Sequence, residues 1–198
     1  MASRDMLTIE RFDRIGRYRV HCPSAHTALR AAGLEQSYSK LVSKLLRLGP
    51  PDRQTAMREE LFKRMVFNIP IDNTDDTDDN ERNHSICLNL SDGYHDLTPA
   101  YDVVPSLQNL GYQALIVGTA ESESSLENAL SQIKEHGLRM PRALQLLQQV
   151  AAAVDQWAVH LRPQGVSPND MQQLAASMDR DALRRQRRAF LQNVGLSR

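Results

Sequence analysis

An aspartate, then an asparagine, then a second aspartate are the side chains that phosphoryl transfer asks for. The first accepts the proton of the attacking hydroxyl, and the other two hold Mg²⁺ against the phosphates. In kinases they are spaced as D-x-x-x-x-N, a strand, a turn, a strand and a further Asp. This sequence carries Asp75, then Asn80 and Asn83, then SICLNL, Ser91-Asp92-Gly93, YHDL and Asp102. Order, spacing and element types fit the C-lobe of a kinase.

The same residues allow simpler readings. Asp72, Asp75, Asp76, Asp78, Asp79 and Glu81 repel one another, so their loop is either solvated or holds a cation. An EF-hand calcium loop needs Gly at its sixth place and Glu at its twelfth. Counting from Asp72 these places hold Thr77 and Asn83; counting from Asp75 they hold Asn80 and Ile86, so neither frame fits. His84, Cys87 and His95 gather near the predicted hairpin without zinc-ligand spacing, and they read as surface or core residues. A nucleophile elbow of the G-x-S-x-G type is missing, which excludes that hydrolase chemistry.

The elements that must position these groups follow from periodicity. Residues 6–12 alternate as a short strand, and 16–23 offer a second strand or an extended segment. Residues 24–32 predict a short helix ended by Gly33. Residues 37–48 predict another, with Leu41, Leu45 and Leu48 on one face and Gly49-Pro50-Pro51 as its stop. Asp52 is placed to cap a third helix, whose stripe is Met57, Leu61, Phe62, Met65 and Val66 and which closes before Pro70. Residues 71–84 are loop. Residues 85–90 and 94–97 form a hairpin about Ser91-Asp92-Gly93. Helices are then expected over 122–136, ended by Gly137, over 140–161, and over 168–192 as one helix or a pair. The fold class is mainly α with a small β-hairpin.

The chain has 198 residues, 41% hydrophobic and 24% charged, with a formal net charge of zero. That describes one globular domain and excludes a uniformly basic nucleic-acid coat. Cys22 and Cys87 make no CxxC pair, so they are expected as separate thiols in a reducing cytoplasm. No secretory leader or bilayer-spanning run is visible. Arg184, Arg185, Arg187 and Arg188 form a basic patch, expected as a solvated helix face. Its alternative use is contact with DNA phosphates or an acidic partner.

The stretch FNIPIDNTDD…ERNHSICLNLSDGYHDLTPAYDVVPS resembles the HipA-type serine/threonine kinases, the toxins of bacterial toxin–antitoxin pairs. Their catalytic loop runs roughly (I/L)-G-N-T-D-x-H-x-x-N, with L-T/S-P-x-Y-D further on. LTIERFDR resembles the hinge between their lobes, and Val154, Trp157 and Gly165 match their terminal helices. The likeness extends over the chain from Leu7. It implies one kinase C-lobe over 1–198, with a hinge-like segment at 1–14, the catalytic loop at 71–84 and the metal-binding segment at 98–105. It implies ATP and Mg²⁺ as cofactors, Asp75 as base, Asp102 as metal ligand, Tyr101 in the nucleotide pocket, and Glu10 and Phe12 at hinge positions. It implies a protein substrate such as an aminoacyl-tRNA synthetase, a HipB-like antitoxin partner, only indirect DNA contact, and a cytoplasmic location. Two departures stand out. Thr77 occupies the place of the family's His, and Asn83 rather than Asn80 has its local context, Arg-Asn-His-Ser. A three-residue insertion within 77–80 is the simplest reading of the second and favours Asn83 over Asn80 as the ligand.

The family's N-lobe supplies a glycine-rich loop and a strand lysine. The glycines before Asp75 are Gly16, Gly33 and Gly49, and the lysines are Lys40, Lys44 and Lys63, all beyond the hinge segment. The chain is therefore expected to need a separate N-lobe for activity. A non-catalytic, pseudokinase-like remnant that binds an antitoxin or a kinase partner is the alternative.

Overall fold

The computed structural model describes residues 9–74, 82–106 and 108–192. A small antiparallel pair, β1 (Arg14–Ile15) and β2 (Tyr18–Arg19), opens it. Helices α1 (Ala25–Ala31), α2 (Tyr38–Leu48) and α3 (Gln54–Asn68) follow. Next come the hairpin strands β3 (Ile86–Leu88) and β4 (His95–Leu97). The remainder is α4 (Leu126–Ser131), α5 (Met140–Asp155), α6 (Trp157–Leu161), a 3₁₀ turn over Arg162–Gln164, α7 (Pro168–Met178) and α8 (Asp181–Gln192).

The core is built around α3, whose Leu61, Phe62, Met65 and Val66 are fully buried, as is Ile69 at its C-cap. Leu41 and Leu45 of α2 and Leu146 and Leu147 of α5 join the same cluster. Arg142 holds α5 on α3 through a forked pair to Glu59, at 2.8 and 2.7 Å. A second, smaller cluster gathers Ile71, Val154, Trp157 and Met178, so the first residues of the acidic loop rest on α5, α6 and α7.

Ser37, Ser125 and Ser167 cap α2, α4 and α7 by accepting a main-chain N–H three residues on. Each such cap is worth about 1 kcal/mol. Several expectations are corrected. The cap position of α3 is Arg53, not Asp52, and its guanidinium turns to the hairpin instead, bonding Asp96 at 2.8 Å and Asp92 at 2.7 Å. No strand forms over 9–12; the first strand begins at Arg14. The helix expected over 122–136 shrinks to α4, because Glu121 and Glu123 are drawn into bridges with Gly118 and Tyr112 before Ser125 caps. The helix expected over 140–161 breaks at Gln156 into α5 and α6. Arg187 leaves the expected basic patch: it is 1% exposed and turns inward.

The largest correction concerns the cysteines, which form a Cys22–Cys87 disulfide rather than two thiols. Residues 21–25 run antiparallel to 84–88 through Ala25 N–H to His84 O, Ile86 N–H to Pro23 O and Leu88 N–H to His21 O. That register, with Ser24 opposite Ser85, sets Cys22 directly across from Cys87. β3 is thus flanked by this segment on one side and by β4 on the other. No described helix is long and apolar enough to cross a membrane.

His136 lies fully buried with its ring edge-on to Phe62, and neither ring nitrogen has a hydrogen-bond partner. Burial lowers its pKa to about 4. The folded protein therefore holds it neutral, while the unfolded chain protonates it near 6.5. Its contribution is complete above that value and is lost as pH falls toward 4. Between pH 7 and 5, His136 alone should remove about 2 kcal/mol of stability. Urea denaturation at the two pH values measures this, and His136→Leu should make the fall shallower by about that amount.

Candidate functional site

The segment entering the acidic loop is fixed by a buried polar chain. Asn68, on the inner face of α3, donates through Nδ2 to Tyr38 Oη at 3.4 Å, and Tyr38 Oη meets His84 Nε2 at 3.2 Å. Asn73 donates its Nδ2–H to Asn68 Oδ1 at 3.2 Å and its main-chain N–H to Asn68 O at 2.9 Å. Asp72, Asn73 and Thr74 are each no more than 3% exposed. Burial pushes the Tyr38 hydroxyl up to about 12. Burial first, and the nearby Arg64 charge second, push His84 down to about 3. The network thus stays neutral at ordinary pH. Asp75, the expected base, follows directly on Thr74 and lies outside the described residues, as does Asn80.

The expected metal pair is brought together. Asn83 donates its Nδ2–H to the main-chain oxygen of Asp102 at 3.4 Å, which leaves Asn83 Oδ1 and the exposed Asp102 carboxylate as oxygen donors. Asp102 has φ of +52°, a left-handed conformation that a non-glycine residue adopts at a cost. Tyr101 ties the two segments. Its hydroxyl donates to Arg82 O at 2.6 Å and shares a 2.5 Å contact with Ser85 Oγ. Burial raises the pKa of that hydroxyl. Among the described residues no three His, Cys, Asp or Glu side chains converge as a metal cage. Mg²⁺ does not require one, since it takes one or two protein carboxylates and completes its shell with waters and phosphate oxygens. The donor set fits that ion.

Asn83, Tyr101 and Asp102 line a cavity of ≈ 440 Å³, together with Lys63, Arg64 and Asn73. Tyr101 also borders a second groove of ≈ 740 Å³ with Phe12, Arg19 and Val20. The Phe12 and Tyr101 rings lie 5.4 Å apart, centre to centre. Glu10 is exposed and lines neither space.

Sequence reasoning missed Arg64. It is 9% exposed, donates to Glu60 and Thr98 O, and keeps Nη1 without a partner in the cavity wall. Its signal was present: Arg64 and Asn68 follow Leu61 at helical spacing and interrupt an otherwise apolar face.

A family model described as the HipA-like C-terminal domain matches residues 1–158. No curated protein matches. Among solved structures, the chain is similar to one from the Shewanella oneidensis MR-1 toxin–antitoxin complex of HipA, HipB and operator DNA. The TM-score is 0.63 at 17% identity, covering 94% of this chain and 48% of that one. The chain therefore spans about half the length of that relative, and at this identity the likeness is one of fold.

Proposed function

We propose, from the premise that this chain belongs to the HipA-like C-terminal domain family, that it is the C-lobe of an ATP- and Mg²⁺-dependent serine/threonine protein kinase of toxin–antitoxin type. The observation that carries this reading is the Asn83–Asp102 pair at the wall of one cavity, with the anchored Asn73-Thr74 step leading straight into Asp75.

In this reading Asp75 accepts the proton of the substrate hydroxyl as the hydroxyl oxygen attacks the γ-phosphorus, the bond from that phosphorus to the β,γ-bridging oxygen breaks, and ADP leaves. Asn83 Oδ1 and the Asp102 carboxylate would hold the metal, which would supply positive charge to the phosphate oxygens. Phe12 and Tyr101 border the space for the adenine. The exposed Ile9, Phe12, Ile15 and Tyr18 form the surface that an N-lobe would cover. A HipB-like antitoxin is the proposed partner, supported by the company that the solved relative keeps, and a protein of the translation machinery is the proposed substrate.

The test is transfer of radiolabelled phosphate from ATP, with a matching N-lobe supplied. Wild type should label a Ser/Thr substrate, and Asp75→Asn should lower the rate on the order of 10³-fold. Labelling that survives Asp75→Asn removes the mechanism. A wild type that binds antitoxin but transfers nothing makes the chain a non-catalytic binding module.

A further inference from the structure

Asp72 has φ of +58°, a conformation that favours glycine, yet an aspartate occupies it. The residue is 3% exposed, and its Oδ2 lies 2.7 Å from Arg180 Nη2. Arg180 sits in the turn between α7 and α8, beyond the residues that the family model matches. Its Nε donates to Ser177 O at 3.0 Å. Ser177 Oγ donates to Ser106 O at 2.6 Å, and the Ser106 N–H returns to Asp72 O at 2.8 Å. The contacts close into a ring. One side of the ring stands just upstream of Asp75, and the other just downstream of Asp102.

We infer that Arg180 is a positioning residue, which holds the base-bearing and metal-bearing segments in register through Asp72 and Ser177. The inference rests on the roles proposed above for Asp75 and Asp102. A helix-packing role alone leaves the placement unexplained. Arg180 is partly exposed, and while its Nε stays on α7 its Nη2 extends to a buried carboxylate in a strained backbone. Such a residue keeps its conformation because the surroundings over-determine it. Here the surroundings are Arg180, Ser106 and the Thr74 hydroxyl, which donates to Asp72 Oδ1 at 3.4 Å.

The experiment uses the full chain and the variants Arg180→Met, Arg180→Lys and Asp72→Asn, with two readouts. Amide hydrogen exchange at Thr74 and Ser106 should quicken about tenfold in Arg180→Met, while α3 amides stay unchanged. Mn²⁺ alone, followed by its electron paramagnetic resonance signal, should bind roughly tenfold more weakly to Arg180→Met. Arg180→Lys should recover part of both, and Asp72→Asn should reproduce the Arg180→Met result if that variant proves unstable. Unchanged loop exchange overturns the inference. Faster exchange with unchanged Mn²⁺ affinity also overturns it, leaving Arg180 a purely structural residue. Should wild type bind no Mn²⁺, the metal roles of Asn83 and Asp102 fall instead, and the loop exchange alone decides whether Arg180 holds the segments.

Discussion

Asp102→Asn should abolish metal binding and lower phosphoryl transfer on the order of 10³-fold, with little change in stability. Of the two carboxylates in the described part of the cavity wall, Glu60 is paired to Lys63 and Arg64 at 2.9 and 3.0 Å, so Asp102 is the one left to take a cation, and the neighbouring Asn83 contributes only a neutral oxygen. Mg²⁺ gives up its waters reluctantly and is held at such sites through carboxylates and phosphates, so an amide in place of Asp102 leaves it too weakly bound. Stability should respond differently. Asp102 is exposed and its main-chain carbonyl, not its carboxylate, carries the contact with Asn83. Its φ of +52° means that Asp102→Gly relaxes the backbone while also removing the ligand. Both variants should unfold within about 1 kcal/mol of wild type. Mn²⁺ titration of wild type and the two variants, beside urea denaturation, measures the two effects separately. Asp102→Asn with wild-type Mn²⁺ affinity would take the metal role away from this residue.

Local chemistry was legible and long-range pairing was not. The α2 and α3 stripes, the stop at Pro70 and the hairpin about Gly93 each depend on residues a few positions apart, and each forms as the periodicity requires. The nearness of Asn83 to Asp102 is of the same local kind, since the hairpin between them folds back on itself. The Cys22–Cys87 bond was hidden, because it depends on the register of two segments 65 residues apart. Arg187 was misread for the opposite reason. Among Arg184, Arg185 and Arg188 it has the same chemistry as its neighbours, and only the packing of α8 on α5 decides that it faces inward. The break at Gln156 was equally invisible, because the leucine and valine spacing of α5 continues into α6 without interruption.

That inward arginine carries the second large effect. Arg187 donates from Nη1 to Met178 O at 2.7 Å and to Pro70 O at 3.4 Å, from Nη2 to Asp179 Oδ1 at 3.0 Å, and from Nε to Asp155 Oδ1 at 3.3 Å. One side chain thus joins the end of α5, the α7–α8 turn and the residue before the acidic loop. Arg187→Met fills much of the volume but removes the guanidinium from these acceptors, leaving Asp179 Oδ1 the Trp157 Nε1–H at 3.2 Å. Asp155 and Asp179 are partly exposed and recover water, whereas Pro70 and Met178 are buried residues whose carbonyls have less access to it. The expected cost is about 3–4 kcal/mol, near the lower end of what removing one partner from a buried ionic cluster does. In a chain of this length that lowers Tm by roughly 10 °C. Arg187→Lys should recover little, because an ammonium cannot span a planar fork of four acceptors. The cost should also persist in high salt, since a buried cluster is poorly screened. Arg184→Gln, Arg185→Gln and Arg188→Gln, on the outer side of α8, should each stay within about 0.5 kcal/mol of wild type. Thermal melts of the four variants at low and high salt test the contrast. Equal melting temperatures for Arg187→Met and the outer three would show that α8 is held by its apolar face alone, with the arginine cluster incidental to it.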